Sequence, residues 1–279
     1  MTLTAKALWV IERNLDRPLT LGEIAAACGV SPHHLAHAFG RTAGQAVMQY
    51  VRRRRLAAAA RALAAGAPDI LDLALSHGYG SHEAFTRAFR AEFGATPGEV
   101  RHKGSTEDLP MNEAMKIPPA RDAEPAPPRI ERAGPMLFVG LAGRHALGAT
   151  QGVPAQWQAF MARYGEIADK ADPIPVGVSR DMDEDGNFDY LCAVAVKRFS
   201  GTPRGLVELR IPARGYAVFT HRDHVSTIGA TYGAIFERWR PETHRLAADA
   251  PMLERHLPGF DPKTGLGGVE IWIPIDDAG

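Results

Sequence analysis

Three groups of residues in this sequence could do chemistry, and the first lies between residues 81 and 90. There a helical stripe of Ala84, Phe85, Ala88 and Phe89 leaves His82, Glu83, Thr86, Arg87 and Arg90 on the opposite side, behind an N-cap at Ser81. Such a row matches base edges in a DNA major groove: arginine forks onto the O6/N7 pair of guanine, and glutamate accepts from cytosine N4. The second group, His33, His34, Ala36 and His37, follows Ser31-Pro32 in the same way but carries no forked donor. His33 and His37 also lie four apart, as helical metal ligands do, yet no cysteine or acidic third ligand is near in sequence, so no metal is expected. His221 and His224, in the run HRDH, read as a polar loop for the same reason. The third group centres on Glu270, whose neighbours Val269, Ile271 and Ile273 are apolar and which alternation sets on the face of Trp272. A carboxylate in such surroundings requires a proton or a cationic partner.

The elements that position the first two groups are legible from caps and glycines. Asp69 caps a helix through Ile70, Leu73 and Ala74, and Gly78 breaks it before Ser81 starts the next. Gly94 ends that helix, and Thr96-Pro97-Gly98-Glu99 is a capping box with proline at the first helical position. The same plan occurs earlier in the chain. Thr20-Leu21-Gly22-Glu23 is a capping box, Gly29 the break, and Ser31-Pro32 the start of a helix through Leu35 and Phe39. Leu35, Phe39 and Gly44 match Phe85, Phe89 and Gly94 at an offset of 50 residues, so the plan is two helix-turn-helix units in tandem. Between them, residues 45 to 65 lack Gly and Pro and read as one long helix. Arg52, Arg53, Arg54 and Arg55 are consecutive in it and cannot all face one partner; one or two could touch phosphate.

Residues 1 to 102 resemble the DNA-binding unit of AraC-type transcription regulators. The resemblance rests on Gly78-Tyr79-Gly80-Ser81, Phe85, Arg87-Ala88-Phe89, Phe93-Gly94, Thr96-Pro97 and Arg101. It implies an all-α, homeodomain-like tandem head whose two reading helices enter adjacent major-groove segments, about 34 Å apart, from a single chain. The implied base-facing positions are His33, Ala36 and His37 in the first unit and His82, Glu83, Thr86 and Arg87 in the second. Ala36 and His37 stand where relatives often carry arginine or glutamine, so the first helix is expected to read sequence weakly.

Composition bounds the rest. With 45% hydrophobic and 23% charged residues the chain is globular, and 279 residues suffice for two domains. No apolar run approaches membrane-spanning length and no leader is visible, which points to a cytoplasmic protein with no membrane contact. Cys28 and Cys192 match no ligand spacing and read as reduced core thiols. Net charge is zero, but residues 1 to 104 hold 13 Lys and Arg against 8 Asp and Glu, a surplus placed where phosphates would be met. Phosphate-cradling glycine loops, Gly-x-Ser-x-Gly and paired Cys motifs are absent, so no cofactor and no enzyme are expected.

Residues 103 to 129 contain six prolines and read as an extended linker that would hold the second domain at variable distance. Residues 130 to 279 carry an internal repeat. Val153, Trp157, Phe160, Met161 and Tyr164 form a helical stripe that recurs 75 residues later as Ile228, Tyr232, Ile235, Phe236 and Trp239. Each stripe sits between strand-like runs, giving a pseudo-symmetric α+β domain with an antiparallel sheet and two long helices. Phe160, Met161, Ile235 and Phe236 read as core. The runs Gly215-Tyr216-Ala217-Val218-Phe219-Thr220-His221, Pro251-Met252-Leu253-Glu254 and Val269-Glu270-Ile271-Trp272-Ile273-Pro274-Ile275 resemble the GyrI-like effector-binding domain, also found in multidrug-sensing regulators. The resemblance implies an aromatic-lined pocket holding a glutamate. Glu270 is assigned to it, walled by Trp157, Tyr164, Tyr190, Tyr232, Trp239 and Trp272, for a bulky effector that is apolar or cationic, the aromatic wall adding cation–π attraction. Glu254 matches a family position as well, without an assigned role. Some GyrI-like domains hydrolyse small reactive molecules, so an alternative makes Glu270 catalytic. The expected partners are double-stranded DNA, a small-molecule effector and, as the resemblance allows, RNA polymerase; both monomer and dimer are compatible with the sequence.

Overall fold

The computed structural model describes residues 2–67, 69–115, 126–146, 152–239, 250–262 and 264–275. The first unit consists of α1 (Leu3–Glu12), α2 (Leu21–Cys28) and α3 (Pro32–Ala43). Next come α4 (Val47–Ala64), the second pair α5 (Ile70–Ser76) and α6 (His82–Phe93), and α7 (Pro97–Lys103). Both capping boxes form: the Glu23 and Glu99 carboxylates accept from the Thr20 and Thr96 N–H groups at 2.8 and 2.6 Å, and each threonine hydroxyl caps in return. Gly78 turns the second unit at φ 85°, where Arg55 Nη1 lies 3.2 Å from the place a Cβ would occupy. Phe85, Phe89 and Phe93 pack in series, with ring centroids 5.5 and 4.7 Å apart, against Leu56, Leu63 and Val100. That core fixes how α6 projects.

The four consecutive arginines of α4 all engage the protein. Arg52 pairs with Asp185, Arg53 with Glu92 at 2.7 Å, and Arg55 with the carbonyls of Leu15 and Arg17. Arg54, its side chain 9% exposed, makes a two-pronged pair with Glu12 at 2.8 Å on each oxygen. Burial opposes the Glu12 charge, but the bonds from Arg54 and Tyr50 outweigh it and hold the carboxyl below its ordinary 4.5. A carboxyl depressed by folding stabilises in full above its unfolded value, and that contribution disappears as pH falls through the folded one. Arg54→Met is therefore expected to cost about 3 kcal/mol at neutral pH. It should also flatten the loss of stability that the wild type shows in acid, below the ordinary Glu12 value of 4.5. Thermal melts across that window check both; parallel curves would show that Glu12 is not the group being titrated.

The proline-rich segment is only partly what its composition predicts. Leu109 and Met111 pack on the core of the second unit, Glu113 pairs with Arg61 at 2.6 Å, and the Met115 N–H donates to the Tyr50 hydroxyl at 3.2 Å. Residues 104–115 are thus strapped along α4, because Arg54, Tyr50 and Arg61 offer partners that composition alone does not reveal. Residues 116–125 of the expected linker lie outside the described residues, as do 276–279 at the end of the second domain.

The second domain begins with β1 (Arg129–Ala133), β2 (Met136–Ala146), α8 (Val153–Arg163), β3 (Val176–Arg180) and β4 (Asn187–Ala195). It continues through β5 (Val207–Ile211), β6 (Arg214–His221), α9 (Ile228–Arg238), β7 (Met252–His256) and β8 (Val269–Ile275). The repeat is real: β2-α8-β3-β4 and β6-α9-β7-β8 are two strand-helix-hairpin halves. They fuse through the antiparallel pair β3 and β7 into one eight-stranded sheet, ordered β1-β6-β8-β7-β3-β4-β2-β5. Period-two alternation gives the sheet two faces. Val139, Tyr190, Cys192, Ala217, Phe219, Ile271 and Ile273 meet α8 or α9, whereas Phe138, Val178, Leu191, Tyr216, Leu253 and Trp272 cluster on the opposite side. Phe160, Ile235 and Phe236 are buried as expected; Met161 is not, being 46% exposed, since the buried stripe of α8 runs through Trp157, Phe160 and Tyr164.

The two domains share a core. Ile11, Leu35 and Phe39 of the head join Tyr232, Ile235, Phe236, Ile271 and Ile273 in a single apolar cluster. The variable spacing expected from the linker gives way to docking, because Tyr232 and Phe236 of α9 meet the side of α3 that carries His34, His37 and Arg41.

Candidate functional site

On α6 the expected row stands open. His82, Glu83, Arg87 and Arg90 are exposed, and with Thr86, Ala91 and Thr96 they line one groove. Arg87 and Arg90 have no ion pair among the described residues, so their guanidinium donors are available to bases and phosphates. The Ser81 hydroxyl is committed to capping, accepting from the Ala84 N–H at 3.2 Å.

The matching helix of the first unit is covered. His34 Nε2 donates to the Phe236 carbonyl at 2.7 Å, and the His37 ring stacks on the Phe236 ring with centroids 5.0 Å apart. Ala36 is 8% and His37 3% exposed. His33 is half-buried, its Nε2 lying 3.2 Å from that of His37. Burial first, then the charges of His33 and Arg41, push the His37 pKa well below the ordinary value, so the imidazole is neutral. At the end of this contact Glu237 of α9 accepts from the Thr4 N–H at 3.2 and 3.1 Å, from the Thr4 hydroxyl and from the Thr42 hydroxyl at 2.9 Å. A carboxylate from the second domain thus caps the N-terminus of α1. The residues expected to read DNA from the first unit face the second domain instead, because His34, His37 and Arg41 form the stripe that α9 covers.

The aromatic site forms around Glu254, not Glu270. On the helix-covered face the Tyr190 hydroxyl donates to Glu254 at 2.7 Å and the Tyr232 hydroxyl at 2.9 Å, while Trp157 Nε1 donates to the Tyr190 hydroxyl at 3.3 Å. His256 lies against Trp157, with centroids 5.3 Å apart, and stacks on Phe260 at 4.0 Å. Burial and the nearby Glu254 charge raise both tyrosine pKa values well above the ordinary one, so both stay protonated donors. Gly177 makes the arrangement fit, since a Cβ there would collide with the Tyr190 hydroxyl. Glu254 is half-buried and forms no ion pair among the described residues.

Glu270 and Trp272 share a face, as alternation predicts, but it is the other face. Two bonds from Arg129, at 2.6 and 3.1 Å, and one from Trp272 Nε1 at 3.0 Å outweigh burial and hold the Glu270 carboxyl below its ordinary pKa. Arg255 and Arg129 flank the Trp272 ring at 4.8 and 5.7 Å. A carboxylate so engaged has neither an open side for an effector nor the lone pairs of a free base. Tyr164 donates to the Pro173 carbonyl at 2.6 Å, and Trp239 packs on Phe219 with centroids 5.3 Å apart, both at the far ends of their helices. Of the expected walls, Trp157, Tyr190 and Tyr232 are brought together. The repeat held the missed signal: at an offset of 75, β7 matches β3 and Glu254 corresponds to the buried Ser179, while across the strand pair it faces Gly177.

The family profile of the GyrI-like small molecule binding domain matches residues 126–276. The chain belongs to the GyrI-like family. A helix-turn-helix domain profile matches residues 24–103 ahead of the GyrI-like domain. The transcriptional regulator Rob of Salmonella typhimurium strain LT2 is 26% identical over 96% of both chains. The right origin-binding protein of Escherichia coli strain K12 is 27% identical over 96% of both. The regulatory protein SoxS of Salmonella typhimurium strain LT2 is 37% identical over 33% of this chain and 87% of its own. An AraC-type head joined to a GyrI-like domain makes this a DNA-binding transcription regulator with a small-molecule binding domain, a reading these matches favour over a hydrolase. Among the described residues no helix is long and apolar enough to cross a membrane.

Proposed function

We propose that this regulator responds to a bulky aromatic or apolar cation held at Glu254, and that its open helix α6 reads the operator through Glu83, Thr86 and Arg87. The observation that carries the effector class is the half-buried Glu254 carboxylate, which two tyrosine hydroxyls orient and which forms no ion pair among the described residues. An effector cation would supply the missing charge, and Trp157 and Tyr232 would add π faces. On this reading residues 1–102 form the DNA-binding unit, 103–129 the connection and 130–279 the effector unit. Double-stranded DNA and RNA polymerase are the macromolecular partners, and the cytoplasm is the compartment.

The DNA half is tested at Arg87. On the sequence that the wild type enriches from a random pool, Arg87→Ala should lose about 1–3 kcal/mol of binding and relax preference at one base position. Equal loss on enriched and random duplexes would mean that Arg87 meets only phosphate.

A further inference from the structure

We propose that Arg41, on the last turn of α3, is a built-in occupant of the effector site: its guanidinium holds the place over Tyr232 that an effector cation would take, so effector binding and docking of α3 exclude each other. The inference rests on the reading of Glu254 given above. Arg41 Cζ lies 4.0 Å over the centre of the Tyr232 ring, the same ring whose hydroxyl donates to Glu254. Its Nε is buried and has no hydrogen-bond partner among the described residues. An arginine that has shed water at that nitrogen without gaining a hydrogen bond there is held chiefly by the π face beneath it.

The neighbouring contacts tie this position to DNA reading. His37 stacks on Phe236 with an interplanar angle of 14°, and Phe236 stacks on Tyr232 at 6°, with centroids 6.3 Å apart. His34, His37 and Arg41 share the stripe of α3 that α9 covers, so a displaced Arg41 carries His34 and His37 away from Phe236 with it. Two cations cannot share one face of Tyr232 beside a single carboxylate, because their repulsion in a part-buried site exceeds what the ring returns. Coupling of this kind is reciprocal: whatever undocking of α3 the effector causes, undocking of α3 must strengthen effector binding by the same factor.

The full-length chain tests this with tetraphenylphosphonium as the probe and tetraphenylborate, of the same shape and opposite charge, as the control. Arg41→Gln should bind tetraphenylphosphonium about five-fold more tightly than the wild type, with Arg41→Lys in between and tetraphenylborate binding no tighter in either variant. Saturating tetraphenylphosphonium should speed carbethoxylation of His34 and His37 in the wild type, read site by site by mass spectrometry, with exposed His102 unchanged. In Arg41→Gln those two histidines should react faster before any probe is added. Binding that depends on Glu254 but is no tighter in Arg41→Gln would overturn the competition and leave the pocket standing. Absence of any Glu254-dependent binding would overturn the reading of the pocket, and the competition with it.

Discussion

Glu254→Gln is expected to weaken binding of tetraphenylphosphonium about 10- to 100-fold, the span set by a contact with a charged group of about 1.5–3 kcal/mol. The substitution is nearly isosteric, so the aromatic walls keep their places and only the charge is lost. Tyr190 and Tyr232 both donate to the carboxylate. A glutamine offers one carbonyl oxygen and turns its amide N–H groups toward the other phenol, which must then accept. Binding of tetraphenylborate should stay weak in the wild type and lose its handicap in the variant, because the repelling carboxylate has gone. The parallel change Glu270→Gln should leave tetraphenylphosphonium affinity unchanged, since that carboxylate serves Arg129 on the other face of the sheet. Isothermal titration of the three proteins decides the matter. Equal affinity in wild type and Glu254→Gln would remove Glu254 from the site.

The head was legible in the sequence because its signals are local. Capping boxes at Thr20 and Thr96, breaks at Gly29 and Gly78, and the stripe of Phe85, Phe89 and Phe93 each specify one turn of chain, and each forms as read. The repeat of the second domain was legible for a similar reason, since stripes 75 residues apart need no knowledge of which strands pair. What escaped was the assignment of faces. Glu254 and Glu270 each lie in a strand beside buried apolar residues, and alternation says which residues share a side but not which side meets the helices. Only the pairing of β7 between β3 and β8 puts Glu254 beneath Tyr190 and Tyr232. The docking of the head was hidden for a further reason. The stripe His34, His37 and Arg41 is polar enough to read as a DNA-facing row, and nothing near it in the chain reveals that Phe236 and Tyr232 complete it from about two hundred residues away.

Glu237→Lys is expected to loosen the docking of α3 on α9. Glu237 bonds to Thr4 and Thr42 of the head, and its carboxylate sits at the N-terminus of α1. Lysine removes those charge-assisted bonds and sets a positive charge against the positive end of a helix. Docking should weaken by about 3–5 kcal/mol, roughly a hundred- to five-thousand-fold in its equilibrium. The histidines His33 and His37 and the small Ala36 then become free to enter a groove, and the single-chain, two-segment grip expected from the tandem head becomes available.

The most direct measurement is enrichment of duplexes from a random pool by the full-length wild type and by Glu237→Lys, each without effector. The wild type should recover one short motif, the one read by α6, and Glu237→Lys should recover that motif together with a second about 10 base pairs away. Two motifs recovered by the wild type, or a single motif recovered by Glu237→Lys, would contradict the claim that α9 withholds the first reading helix.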